Sequence, residues 1–352
     1  MRTYFDGVEL DAIFHSIRDM PIVLVATPNY EERSIGFSQW FLHTCHSQKI
    51  DPAKIFAQFL WPQGTSSRVD LLEKLKISQI DKLSEQLQYC AWTRSVFSYP
   101  DDFNERQVID LIHEATNKFS DEPFSLIIDI SCMPRRVIVS VCDAVVEKIR
   151  CVDKAVRPLV FFVYASPKKY AAMRYAQNIG NVKGYFSGRP IHNCPSDHVT
   201  ALIFASLQGY EGKVLYDEVR SRIRSSVTTF VAVSGADYQT SLATMRANQF
   251  LMEQRDIDVS YYFSLMDGME KLAKRIEAEG LVGGGSGLSR MVLVAPFGPK
   301  VFTLGAYFML SNLRSVNDSI QTEIAHVSGF QYLSLYSLGL SHFNVFKLCV
   351  EI

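Results

Sequence analysis

Two stretches of this chain place carboxylate, hydroxyl, aromatic and guanidinium side chains directly after short apolar runs. Ile22–Ala26 leads into TPNYEERS (Thr27–Ser34), and Ser125–Ile128 leads into DISCMPRR (Asp129–Arg136). In the second stretch Asp129 falls at the end of a buried strand, where a charge is costly without a partner. Pro134 suits the first turn of a helix, which needs no amide donor there. Ser131 and the free amides of that helix start make an anion site, and Arg135 and Arg136 add planar donors that grip phosphate or carboxylate in two-pronged fashion. In the first stretch Tyr30 can stack on a base or sugar, Glu31 can accept from hydroxyls, and Arg33 can reach a phosphate, with Thr27 and Asn29 lining the same mouth. A bland reading stands beside each of these. Asp129 or Ser131 caps a helix while Arg135 pairs with Asp129, and Glu31 and Glu32 are favoured by a helix dipole.

The same arrangement recurs in the second half. Leu202–Ala205 leads into SLQGYEGK (Ser206–Lys213) and Met291–Val294 into APFGPK (Ala295–Lys300). Tyr210, Glu211 and Lys300 match Tyr30, Glu31 and Arg135, but Asp129 and Ser131 have no counterparts. Recurrence of two loops at matching places points to internal duplication, with the better-equipped copy first.

Strands and helices that alternate along the chain must position these loops. Strands are expected at Ile22–Ala26, Lys54–Leu60, Thr93–Tyr99, Ser125–Ile130 and Leu159–Ala165, then at Leu202–Ser206, Val227–Val233, Val259–Ser264, Met291–Ala295 and Gln321–His326. The runs are short, continuous and rich in Val, Ile and Phe, as in parallel strands covered on both faces. Helical periodicity fills the intervals, which implies βαβ crossovers. The expected architecture is α/β: two tandem Rossmann-like, doubly wound parallel-sheet halves related by internal duplication. The limits are 1–176 for the first domain, 177–198 for a Gly/Pro/Asn-rich linker and 199–352 for the second, with Asn344–Glu351 adding a strand at a sheet edge. The glycines of Leu281–Arg290 precede a strand rather than follow one, so they read as a loop and not as a phosphate-binding loop.

Composition narrows the function. The 352 residues are 47% hydrophobic and 21% charged, with a formal net charge of −1. No global basic field indicates nucleic acid. No apolar stretch is long enough for a membrane span, and the N-terminus lacks a signal-peptide pattern. The chain reads as cytoplasmic. Seven cysteines without a CxxC spacing argue against a disulfide framework. His43-Thr44-Cys45-His46 and the set His192, Cys194, His198 are the two groupings that resemble metal ligands, and neither has the closely paired spacing of a zinc site, so no metal is expected. Cys132, beside two arginines at a helix start, has surroundings that lower a thiol pKa. No cofactor is named by any motif.

A strand followed by DIS-x-x-P-R and a helix, with an earlier polar strand-turn-helix loop, resembles the CARF-type (CRISPR-associated Rossmann fold) sensor domains of prokaryotic antiviral systems. The resemblance rests on Asp129–Arg136 and Thr27–Arg33. It departs where Met133-Pro134 replaces the family's glycines and in that no separate effector domain is recognisable. It implies a nucleotide-like ligand held by both loops and a dimer-like pairing of two copies, here within one chain.

The expectation is therefore binding of a nucleotide-like or phosphate-bearing ligand in a cleft lined by Thr27, Asn29, Tyr30, Arg33, Ser131, Arg135 and Arg136, with Tyr210 and Lys300 facing them. The protein would act as a sensor or adaptor subunit, with a protein partner or as a homodimer, in a prokaryotic defence complex. The alternative is an enzyme hydrolysing a nucleotide phosphodiester or glycosidic bond, with Glu31 or Asp129 as general base. A partner-binding scaffold is the third reading.

Overall fold

The computed structural model describes residues 2–351 except 30, 32, 64–68, 100–101, 171–181, 192–195, 207–209, 223–225, 235–237, 255–256, 283–288 and 328–336. For residues 69–72, 169–170, 210–211, 220–222, 226–228, 280–282, 327 and 337–338 it describes the backbone only. The chain divides into two compact units. One comprises Phe5–Ala172 with Leu333–Cys349, and the other comprises Met1–Tyr4, Met173–Tyr332 and Val350–Ile352.

The N-terminal part runs β1 (Arg2–Val8), α1 (Leu10–Ile17), β2 (Ile22–Ala26), α2 (Arg33–Ser47), β3 (Ile55–Gln63), α3 (Val69–Asp81), α4 (Ser84–Leu87), β4 (Ala91–Ser98), α5 (Glu105–Thr116), β5 (Ser125–Asp129), α6 (Arg135–Cys151) and β6 (Leu159–Tyr170). It continues with β7 (Val182–Gly184), β8 (His198–Phe204), α7 (Tyr210–Arg222), β9 (Ser226–Ser234), α8 (Tyr238–Ala247), α9 (Gln249–Met252), β10 (Ile257–Tyr262), α10 (Leu265–Val282), β11 (Arg290–Pro296), α11 (Val301–Val316), β12 (Ile320–Val327) and β13 (Ser337–Glu351).

The first sheet has the order β1-β13-β6-β5-β2-β3-β4, and the second β10-β9-β8-β11-β12-β7. Numbered within each repeat, β2 to β6 and β8 to β12 both follow 3-2-1-4-5 with parallel pairing. This is a doubly wound, Rossmann-like plan in both halves. Beyond the fifth strand each sheet adds an antiparallel one, β13 beside β6 and β7 beside β12.

The physical basis is visible in β2. All five residues of IVLVA are buried. Strand alternation sends Ile22, Leu24 and Ala26 into one core with Ile13 and Phe14 of α1 and Phe37 and Phe41 of α2. Val23 and Val25, both fully buried, face the other way, on the side where α5 meets β2 and packs on α6. A strand with two covered faces has no polar face to show, hence the continuous apolar run.

Two features differ from the expected limits. The closing strand is longer than Asn344–Glu351 and lies inside the first sheet, between β1 and β6, rather than at a sheet edge. Val345 and Phe346 are accordingly buried. The stretch 177–198, expected as a bare connector, contributes β7 and the fully buried Val182 and Ile191 to the second unit. The Glu323 carboxylate accepts from the backbone amides of Phe186 (2.7 Å) and Ser187 (3.0 Å), which holds the turn after β7 against β12.

Candidate functional site

In the first unit the strand order reverses between β2 and β5, where Ala26 and Asp129 are register partners. Both polar loops leave the sheet here, and crevices at such reversals are where open α/β sheets hold ligands. Thr27 is 2% exposed, and its Oγ1 makes no hydrogen bond among the described residues. Asn29 is half-buried, and its carbonyl accepts from Ser34 Oγ at 3.0 Å. Tyr30 and Glu32 lie outside the described residues.

The charged members of these loops point inward. Arg33 is 2% exposed; its Nε donates to Glu31 Oε2 at 2.7 Å and its Nη1 to the Ala165 carbonyl at 3.0 Å. Its guanidinium also lies 5.8 Å from the Tyr164 ring centroid. Burial by itself would lower the Arg33 pKa. Cys132, Tyr164 and Glu31 outweigh it and hold the group above its ordinary value, so Arg33 is a fixed cation. This corrects the expectation that Arg33 reaches a phosphate: a guanidinium enclosed by Glu31 and a strand carbonyl is spent on bracing the loop. Glu31, 6% exposed, holds Arg33 and accepts from the Cys132 thiol at 3.8 Å.

Asp129 is 1% exposed and its Oδ1 accepts from the Ser131 amide at 2.9 Å and from the Ser131 hydroxyl. A carboxylate bonding the amide two residues on is an Asx turn. Ser131 Oγ in turn accepts from the Ala165 amide at 2.7 Å. Both backbone groups of Ala165 are thus taken, its amide by one loop and its carbonyl by the other. This is geometrically available because β6 continues to Tyr170, well past the end of β5 at Asp129. Tyr164 and Ala165 are the participants that sequence reasoning missed. The apolar run ends at Ala165, and nothing in it says that this strand overhangs its neighbour. Cys132 is 3% exposed and sits against a carboxylate, a poor setting for a nucleophile.

The remaining members are on α6. Its N-cap, Pro134, supplies no side-chain cap. Arg135 and Arg136, the first two helical residues, are half-buried. Arg136 donates to Glu105 at 3.2 Å and lies 4.7 Å over the Phe103 ring, keeping 30% side-chain exposure.

The second unit builds its equivalent mouth differently. Pro296 and Phe204 are register partners at the ends of β11 and β8. The Gly298 amide donates to the Phe204 carbonyl at 3.0 Å, and a Cβ at Gly298 would lie 3.2 Å from the Ala205 carbonyl. Phe204 stacks on Phe302 with centroids 4.0 Å apart. Backbone and aromatic rings occupy the place where the first unit has its carboxylate and hydroxyl. Lys300, half-buried, is the N-cap of α11, and Tyr210 opens α7 with its side chain outside the described residues.

No known family model and no curated protein matches the chain. A solved structure that does match is the cytoplasmic domain of a prokaryotic cation chloride cotransporter, at 10% identity over 87% of this chain and 95% of that one, with a TM-score of 0.26. A likeness that faint carries no argument.

The remaining reactive groups are placed as structure. Cys45 lies in the first core, where burial and the neighbouring Cys90 push its thiol up to about 12. Burial pushes Cys90 up to about 11, and Cys142 well above the ordinary thiol value. His192 and Cys194 lie outside the described residues. Among the described residues no helix is long and apolar enough to cross a membrane.

Proposed function

We propose that the first unit binds a nucleotide-like, phosphate-bearing anion at the mouth of β2 and β5, and that the protein works as a sensor or adaptor rather than through turnover. The observation that carries this reading is the division of labour among the loop side chains. Glu31, Arg33, Asp129 and Ser131 clamp both loops to β6. The start of α6, whose N-cap gives no side-chain bond, meanwhile carries Arg135 and Arg136, the latter with 30% of its side chain exposed. A preorganised helix start with cations on its first turn suits an anion. The resemblance of DISCMPRR to CARF-type loops extends the proposal, by analogy alone, to a cyclic oligonucleotide ligand and to a prokaryotic defence complex with a protein partner or a second copy.

The hydrolase reading needs a poised carboxylate. Both candidates are engaged: Glu31 neutralises Arg33, and Asp129 holds the Ser131 turn. Neither is disposed to take a proton from water.

Thermal melting and calorimetry of the wild type with cyclic and linear nucleotides, NAD and ATP test the proposal. Binding is expected to saturate without product, and Arg135→Ala and Arg136→Ala each to weaken it by about 1.5–3 kcal/mol, the range for hydrogen bonds to charged groups. The melting temperature of Arg136→Ala should stay close to wild type, because its ion pair with Glu105 is largely exposed and such pairs contribute about 0–1 kcal/mol. Product formation would establish the enzyme instead. If no member of the panel shifts the wild type, the proposal fails.

A further inference from the structure

The second unit carries an open cleft of about 370 Å³ between α10 and the outer strands of its sheet. Register pairing explains its floor. Leu202, Phe230 and Asp258 form one cross-strand row, and Phe204, Ala232 and Ser260 form the next. All six line the cleft. The rows run from apolar at β8 and β9 to polar at β10, the edge strand. The roof is set by the helix period. Lys271, Lys274, Arg275 and Ala278, spaced i, i+3, i+4, i+7, all face the cleft. Met269, Leu272 and Ile276 are buried. Gly268 and Gly305 let α10 close on α11, since a Cβ at Gly268 would lie 2.6 Å from Phe302 and one at Gly305 3.3 Å from Met269. Held against α11, α10 meets the outer strands only in part and leaves an open cleft over the two rows.

The cations over this floor are not all spent. Lys271 bonds Asp267 at 2.9 Å and also the Tyr261 carbonyl. The Arg275 guanidinium lies 3.3 Å from the Phe230 ring centroid and reaches Glu279 at 3.3 Å through Nη2. Its buried Nε has no hydrogen-bond partner. Lys274 is exposed, and its charge acts on Asp267 without a close ion pair among the described residues. A floor with an aromatic ring, a stacked guanidinium and an exposed ammonium select a flat apolar body bearing one negative charge. Asp258, across the cleft, repels a second negative charge and, with Ser260, accepts from a donor at the far end.

We propose that this cleft is a second ligand site, independent of the β2–β5 mouth, and that it takes a small aromatic monoanion with a hydrogen-bond donor opposite its charge, as in a hydroxylated aromatic carboxylate. The test is calorimetry of the full chain with 6-hydroxy-2-naphthoate and with its methyl ester as the neutral control. The acid should bind saturably with one-to-one stoichiometry. The ester and the Lys274→Glu variant should each bind about tenfold more weakly, the loss expected for one charge-assisted contact. Ala232→Phe, which fills the floor, should abolish binding. Melting curves check that both variants are folded; Lys274 is exposed, so the lysine variant decides if the phenylalanine one does not fold. Absence of saturation overturns the proposal. So does a wild-type affinity in folded Lys274→Glu.

Discussion

Arg33 holds a full charge where 2% of the residue reaches solvent, and the loop around it is organised to make that tolerable. A buried ion pair contributes little relative to an apolar pair of the same volume, but breaking it leaves one charge uncompensated. Glu31→Gln is therefore expected to destabilise the protein by about 3–5 kcal/mol. The double variant Glu31→Gln, Arg33→Met should recover much of this. Chemical denaturation of the three proteins measures it, and a Glu31→Gln change within about 0.5 kcal/mol, the scale of a surface substitution, would show that the pair is not a brace. Activity lost on changing Glu31 could then reflect the fold rather than catalysis. The sequence located this loop but not its polarity of use. Glu-Glu-Arg after a strand is also what a solvated helix start looks like, and inward pointing depends on the Ala165 carbonyl, 132 residues away.

Elements were legible in proportion to how local their cause is. Strands β2, β5, β8 and β11 announce themselves because both faces are covered and a continuous apolar run fills most of each. Strand β1 alternates exposed and buried positions in RTYFDGV, and β7 is three residues long inside a Gly- and Pro-rich stretch, so neither has a run to detect. Strand β13 was visible as a strand, yet its partner was not, since pairing across the whole chain leaves no local pattern. The beginning of β8 shows how such pairings tune a side chain. His198 is the register partner of Arg290 and lies near Glu279, which Thr200 and Arg290 bond at 2.9 Å. Burial first, then Arg290, lower the His198 pKa from its ordinary 6.5, with Glu279 pulling the other way. The unfolded chain consequently takes up this proton first as pH falls. Stability from His198 is complete above about pH 6.5 and declines below it until the folded imidazole protonates too. Melting of the wild type from about pH 7.5 down to about pH 5 should fall more steeply than that of His198→Gln. Parallel slopes would assign the decline to other groups.

At the scale of the molecule, two sheets share one strand order, and each carries an antiparallel strand outside its fifth. The source of that strand differs. The second sheet takes β7 from immediately before its first strand, while the first sheet takes β13 from the end of the chain. The first unit is therefore complete only with its last segment, which pairs with β6 from Leu348↔Val160 to Ser337↔Tyr170. Contacts this distant in sequence have to offset a large loop-closure entropy before they stabilise anything. Without β13 the strand β6 would become an edge, with a row of unpaired amides and carbonyls beside the loops it anchors through Ala165. A chain ending at residue 332 is expected to lose hydrogen-exchange protection across β5 and β6 and, with it, any ligand-induced shift at the β2–β5 mouth. The strands β8 to β12 should stay protected, because every strand of their own sheet remains. Exchange measured on both chains decides it. Retained protection in β6 would mean that β13 is an accessory, and that the clamp on the two loops stands without it.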